Sequence, residues 1–184
     1  MADPLILSAQ NALPQGEAAR LAGTAITVLP MARLTSLMAG RQVGDLAEAL
    51  QRVYGLALPE SGRSARNGTA EIKWFGHRHY LLIGADPAPL AQLAAMTDQS
   101  DAWATVLIEG PKARDVLARL CPLDLRAARF VPGATARSEI RHMMASVTRV
   151  SEDGFRLMVF RSMGQTLLSE LRATLTMVAA RPSA

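Results

Sequence analysis

The run Val106-Leu-Ile-Glu-Gly-Pro-Lys-Ala-Arg-Asp-Val-Leu-Ala-Arg-Leu-Cys-Pro-Leu-Asp-Leu125 passes from a strand through a turn into a helix whose two ends are both marked. Residues 102–109 are apolar and predict a strand, and Gly110-Pro111 opens the helix. Cys121-Pro122 ends that helix, because proline disfavours helical geometry in the residue before it. The inner face of the helix recurs at positions i, i+3, i+4 and i+7, namely Ala113, Val116, Leu117 and Leu120.

Downstream of this run, an irregular stretch over residues 123–133 leads into a predicted hairpin. Its strands cover about residues 143–150 and 155–160, joined by Ser151-Glu152-Asp153-Gly154. The segment Ser162-Met163-Gly164-Gln165 matches a Ser-x-x-Gln capping box and predicts the start of a last helix. The apolar face of that helix consists of Met163, Leu167, Leu171, Leu175 and Val178.

Upstream of the run, the same kinds of element occur in the same order. Residues 24–29 predict a strand that pairs with, or bends into, residues 32–38. A helix with apolar positions from Val43 to Tyr54 is closed by Gly55, and residues 59–68 predict a polar loop. In the hairpin that follows, Ile72 and Trp74 alternate with Glu71 and Lys73, as in a half-buried strand. Asp86-Pro87 then predicts a helix to about Met96, with an acidic cap and a preset φ angle.

The order strand, helix, hairpin, helix thus occurs twice, about 80 residues apart, which predicts an α+β fold. We expect two ferredoxin-like split β-α-β units, over residues 24–98 and 102–178, to pack together because neither buries its sheet alone. Residues 1–23 show no sustained period and predict an N-terminal arm, which precedes a body over residues 24–180.

Composition narrows the class of protein. The chain has 184 residues, 49% of them apolar, 20% charged and 4% aromatic, which is ordinary for a globular protein. A single cysteine excludes an internal disulfide and a Cys-rich metal site. The N-terminus lacks the basic start of a secretory signal, and no run of 18 apolar residues predicts a membrane span. We therefore expect a cytoplasmic protein without membrane contact.

The net charge of +4 is concentrated in one segment. Between Lys112 and Arg149 there are eight basic and three acidic residues. Such a surplus attracts nucleic acid or an acidic protein, and it is also typical of a solvated face. The aromatic residues form no repeated pattern with basic neighbours, which argues against nucleic acid. We expect this basic segment to lie at a subunit interface, with Arg126, Arg129, Arg137 and Arg141 as the candidate residues.

A search for catalytic motifs predicts no catalytic, cofactor-binding or metal-binding residue. The chain contains neither Gly-x-Gly-x-x-Gly nor Gly-x-x-x-x-Gly-Lys-Ser/Thr. His77 and His79 lie on a predicted turn without an acid to complete a ligand set, and His142 is isolated. Cys121 falls at a helix C-terminus, where the dipole disfavours a thiolate. The acids Glu152-Asp153 belong to a turn and form no dyad.

The run that ends in Cys121-Pro-Leu-Asp-Leu125 resembles the gamma subunit of heterotetrameric sarcosine oxidase. Phe130-Val-Pro-Gly133 and Phe160-Arg-Ser162 continue the likeness at the family's Phe-Pro-Pro-Gly and Pro-Arg-Ser positions, and it covers about residues 70–178. The chain departs from the pattern in His77-Arg78-His79-Tyr80 and in Met163-Gly164. These departures leave open a sibling complex, such as an N-methylglutamate dehydrogenase.

The resemblance implies a fold like part of the folate-binding glycine-cleavage T-protein. It implies a non-catalytic structural subunit bound to the alpha subunit, with beta and delta in the same complex. FAD, FMN, NAD, zinc and tetrahydrofolate would belong to those partner subunits. The complex would demethylate sarcosine oxidatively to glycine and pass the one-carbon unit to tetrahydrofolate. A related N-methyl amino acid dehydrogenase subunit, a stand-alone folate-binding protein and a basic nucleic-acid module remain as alternatives.

Overall fold

The computed structural model of the chain describes residues 8–41 and 43–181. It contains two antiparallel sheets, of six and five strands, in the orders β1-β2-β8-β11-β10-β9 and β4-β5-β6-β3-β7. No helix in the described part has the length and apolar character needed to cross a membrane. In chain order the elements are β1 (Gly16–Leu21), β2 (Thr24–Val28), β3 (Leu34–Ala39), α1 (Val43–Tyr54), β4 (Ser64–Asn67), β5 (Ala70–Gly76), β6 (His79–Ile83), β7 (Ala94–Asp98), β8 (Trp103–Glu109), α2 (Ala113–Leu117), β9 (Thr135–Ile140), β10 (Met143–Arg149), β11 (Gly154–Phe160) and α3 (Gly164–Ala179).

The two sheets pack face to face between outer helices, so the molecule has four layers. Helices α2 and α3 cover the outer face of the six-stranded sheet, where one apolar cluster forms around Val106, Phe155 and Leu171. Helix α1 covers the outer face of the five-stranded sheet through Leu46 and its neighbours. The inner faces meet in a middle layer that contains the apolar residues Leu34, Phe75, Leu81, Ile83, Trp103 and Met158.

Each sheet is built from the same unit, a strand, a helix and a three-stranded meander. The units are β3-α1-β4-β5-β6 and β8-α2-β9-β10-β11, and in both the first strand pairs with the last. The α+β class and its doubled organisation are therefore confirmed. Within each unit the helix joins two strands that lie apart in the sheet, with the other two strands of the unit between them.

The first strand of each meander is absent from the sequence-based prediction. Strand β4 lies inside the predicted polar loop over residues 59–68, and β9 follows the predicted irregular stretch. Both strands form sheet edges, where most of their side chains stay half-buried or exposed. An edge strand is free to carry polar residues on both faces, so the apolar alternation that marks a strand is missing.

The N-terminal segment also differs from the prediction. Residues 16–21 form β1 and pair with β2 through a turn at Ala22-Gly23, so the predicted arm over residues 1–23 is wrong for this strand. Strand β2 pairs with β8 rather than with β3, and it completes the sheet of the second unit. Residues 1–7 lie outside the described residues. The proposed division between residues 98 and 102 stays a prediction.

Two helix starts need correction. Asp86-Pro87 leads only to a 3-10 turn, Ala88–Leu90, and residues 94–98 form strand β7 instead of helix. Pro89 is the reason, because a second proline removes another amide hydrogen and biases Ala88 away from helical geometry. At the last helix, Ser162 belongs to a 3-10 turn, and Met163 caps α3 without any side-chain hydrogen bond. The predicted capping box is therefore wrong.

Other elements follow the prediction. Helix α1 ends at Tyr54, and Gly55 after it adopts a φ of +63°, a conformation that glycine reaches without strain. Helix α2 begins two residues after Pro111, and the hairpins β5–β6 and β10–β11 are both present.

Candidate functional site

The middle layer places a polar cluster between the two sheets. Lys73 on β5 is fully buried, and its Nζ lies 3.0 Å from Ser146 Oγ and 3.0 Å from Met158 Sδ on the opposite sheet. Burial, which penalises the charged amine, lowers the pKa of Lys73 from 10.5 to about 7, and the nearby positive charge of Arg156 adds to the effect. The amine is therefore able to exchange a proton near neutral pH, although no part of it reaches the surface.

A buried ion pair crosses the same layer. Arg156 on β11 donates to Glu71 on β5 through both terminal nitrogens, with an Nη1 to Oε2 distance of 2.9 Å. Both residues are at least nine-tenths buried. Such a fork-to-fork pair is among the strongest side-chain contacts, and it leaves little free charge. The negative charge of Glu71 also raises the pKa of Lys73, which partly opposes the effect of burial.

A partly open cavity of about 70 Å³ lies in the middle layer. Trp103 and Arg156 line it together with Ser100, and Trp103 Nε1 and Arg156 Nε have no hydrogen-bond partner among the described residues. A space of this size accommodates a few water molecules or a ligand of a few atoms.

Next to this cavity, aromatic rings form a continuous row from one sheet to the other, and Trp103 belongs to both. Phe75 meets the rings of His79 and Trp103 edge to face, with centroid distances of 5.3 and 5.5 Å. Trp103 then stacks on Phe160 at 4.9 Å. The guanidinium of Arg137 lies 4.2 Å from the Phe75 ring centroid, which is a cation–π geometry.

The four candidate arginines do not form one cluster. Arg126 is exposed and paired with Asp124, and Arg129 is exposed near it. Arg141 is exposed in the β9–β10 turn, and its Nε lies 3.2 Å from Glu170 on α3. Arg137 is different, because it is half-buried against the aromatic row and burial lowers its pKa. The sequence predicts the positive charge of Arg137 but not that its side chain points toward the interior.

The histidines and the cysteine take separate places. His79 is half-buried, with Nε2 2.7 Å from Ser36 Oγ, and burial, aided by Arg137, lowers its pKa. His77 and His142 are exposed. Cys121 is buried and donates to the Leu117 carbonyl, and burial raises the pKa of its thiol. Within residues 8–41 and 43–181, no three His, Cys, Asp or Glu side chains are arranged to bind a metal ion.

Sequence reasoning missed Lys73, Glu71 and Arg156. The sequence places Glu71 and Lys73 on what looks like the solvent face of a half-buried strand, and the second sheet covers that face. The sequence does show charged residues at alternate positions of two strands. It does not show that these strands face each other across the two sheets, because that depends on tertiary packing.

Two duplicated antiparallel sheets with helices outside them define a T-protein-like fold. The chain belongs to the GCVT N-terminal domain family, whose model matches residues 61–182. An aminomethyltransferase of Saccharopolyspora erythraea is 40% identical over 67 residues, which are 35% of this chain and 18% of that protein. The chain thus matches less than one fifth of that relative's length.

Two solved structures share the fold. A chain of the heterotetrameric sarcosine oxidase from Corynebacterium sp. U-96, in complex with pyrrole 2-carboxylate, superposes with a TM-score of 0.78 and 21% identity over 91% of both chains. The glycine cleavage system aminomethyltransferase T from Bartonella henselae superposes with a TM-score of 0.58 and 16% identity, over 82% of this chain and 46% of that one. At these identities the likeness shows the fold alone.

Proposed function

We propose that this chain is a non-catalytic structural subunit of a sarcosine oxidase-like heterotetramer. In that complex the other subunits, alpha, beta and delta, bind FAD, FMN, NAD, zinc and tetrahydrofolate. They convert sarcosine oxidatively to glycine and transfer the one-carbon unit to tetrahydrofolate. The observation that supports this role best is the likeness over 91% of both chains to a chain of heterotetrameric sarcosine oxidase.

Co-expression with an alpha-like large chain from the same source tests this role. We expect a stable complex that carries flavin absorbance through size exclusion, because a permanent interface buries about 2,000 Å² or more in total. The chain purified alone should be colourless. If the chain binds no flavoprotein encoded beside it in the same genome, the subunit role is refuted.

The basic segment is part of this proposal. Arg126, Arg129, Arg137 and Arg141 would lie at the interface with the alpha-like chain, since arginine pairs well with carboxylates at interfaces. Charge reversal of two of the exposed residues, Arg126→Glu and Arg129→Glu, should weaken the complex. An undiminished complex would refute this placement without affecting the subunit role.

Tetrahydrofolate binding by this chain itself is a second candidate. The 40% identity to an aminomethyltransferase over 67 residues favours it. Titration of the isolated chain with tetrahydrofolate in a calorimeter should then release measurable heat. An absence of heat would exclude this candidate, and a related N-methyl amino acid dehydrogenase complex would be distinguished by its substrate in the co-expressed enzyme.

A further inference from the structure

The aromatic row ends in an apolar surface that spans both sheets, which we call the mouth of the middle layer. It comprises the row itself together with Met38 beside His79 and Met144 beside Phe160. Met38 is the register partner of His79 in the β3–β6 pair. Met144 and Phe160 are the next residues beyond the Ala145–Val159 pair of β10 and β11.

The mouth exposes three large apolar side chains. Met38 is 49% exposed, Met144 51% and Phe160 46%. Single exposed apolar residues are normal on a protein surface, whereas a contiguous group that bridges two sheets is typical of an interaction site. Methionine side chains adapt to the shape of a partner, so two of them at the two edges suit a protein contact.

Four arginines place positive charge around the mouth. Arg41, Arg78, Arg137 and Arg161 have no carboxylate oxygen within 4.0 Å among the described residues, a state that they share with seven arginines elsewhere in the chain. Arg78 donates to the Arg41 carbonyl beside Met38, and Arg161 directly follows Phe160. The one acid on the same face of β9 as Arg137 is Glu139, whose carboxylate approaches His142 instead.

Among these four arginines, Arg137 provides the clearest evidence for a binding partner. Its guanidinium lies 4.2 Å from the centroid of the Phe75 ring, and its Nε is buried without a hydrogen-bond partner in the described part of the chain. A guanidinium that is already partly dehydrated and packed against a ring loses less hydration and side-chain freedom when it binds a carboxylate. The surrounding methionines and Phe160 would exclude water from such a pair and strengthen it.

We propose that the mouth binds an apolar segment of the alpha-like chain that carries a carboxylate, and that this carboxylate pairs with Arg137. That the partner is the alpha-like chain rests on the proposed function. That the mouth is the binding surface, and that it favours a carboxylate, follows from the mouth itself. The apolar residues of the mouth would provide the contact area, and the arginines would orient the bound segment through its carboxylate.

The rate of methionine oxidation tests whether the mouth is covered in the complex, and a methionine on another surface serves as the control. Peroxide is applied to the free chain and to its co-expressed complex with the alpha-like chain. Met38 and Met144 should then be protected several-fold in the complex. Met177, which is 59% exposed on α3, serves as the control and should oxidise equally in both. Equal oxidation of the mouth methionines in both forms would overturn the inference and leave the subunit role intact.

Two substitutions at one exposed position test the carboxylate. Met144→Glu should weaken the complex about tenfold or more through like-charge repulsion, whereas Met144→Lys should weaken it much less. Met177→Glu is the matched control and should leave affinity unchanged. Equal losses for the Glu and Lys variants would exclude a carboxylate on the partner. Protection that grows with the concentration of the free chain would identify a second copy as the occupant and overturn the proposal.

Discussion

Replacing Lys73 with Met should stabilise the chain near neutral pH and remove a pH dependence of its stability. In the folded chain the pKa of Lys73 is lowered to about 7, because burial and then Arg156 disfavour the charged amine. In the unfolded chain the same amine keeps a pKa of about 10.4. Between these two values the unfolded chain binds more protons than the folded chain.

The sign of the effect follows from this difference. Stability is greatest when the amine of Lys73 is neutral in both states, and it decreases as the pH falls from the unfolded pKa to the folded one. Below a pH of about 7 the full cost of burying the charge is present. The difference in pKa corresponds to about 5 kcal/mol, of which about 2 kcal/mol would be regained between pH 7 and pH 9.

Urea unfolding of the wild type and Lys73→Met between pH 6 and pH 9 measures this difference. The variant also loses the hydrogen bond to Ser146, a cost of about 1 kcal/mol that does not depend on pH. The test is therefore the slope: the advantage of the variant should shrink by about 2 kcal/mol from pH 7 to pH 9. Lys112→Met, at the chain's other lysine, is the control and should run parallel to the wild type. A constant difference for Lys73→Met would refute the depressed pKa.

Two further predictions concern stability. Glu71→Gln leaves the buried guanidinium of Arg156 without a counter-charge, and urea unfolding should show a loss of about 3–5 kcal/mol. Gly164→Ala should destabilise the chain by about 1–3 kcal/mol, although its φ of −58° is helical, because the new Cβ would lie 2.9 Å from the Cβ of Ala104. Gly44→Ala in α1 meets nothing within 4 Å and should instead stabilise by about 0.5–1 kcal/mol, so a loss at both glycines would contradict the packing argument.

The sequence predicts best those elements whose bounds are marked by periodicity or by turn residues. Helix α1 has an apolar face toward one neighbour, and the hairpins β5–β6 and β10–β11 are marked by their polar turns, so all three lie where the sequence places them. The edge strands β1, β4 and β9 escape prediction because they pair on one side only and expose polar residues. The doubled order was visible, but pairing of β2 with β8 joins positions about 80 residues apart, which local patterns do not encode.

The candidate site was less predictable than the fold for a related reason. The candidate site contains three charged residues that alternate with apolar residues along their strands, namely Glu71, Lys73 and Arg156. In a single sheet this alternation predicts that the charged side chains face solvent. They are buried only because the second sheet covers that face. Arg137 was singled out for its charge, yet its contact with Phe75 depends on packing between β9 and β5, which belong to different sheets.

The polar groups of the middle layer are buried, whereas the mouth is exposed, and this contrast is consistent with the proposed role of the mouth in assembly. A group that acts on a substrate must be reachable, but the amine of Lys73 is sealed and the charges of Glu71 and Arg156 neutralise each other. These groups are positioned to set how the two sheets align, since a slip of either sheet would leave buried charges unpaired at a cost of several kcal/mol. The surface at the mouth is instead apolar, and the guanidinium of Arg137 there has no carboxylate partner among the described residues. A partner that supplies apolar side chains and a carboxylate would complement this surface, which is the contact that we propose.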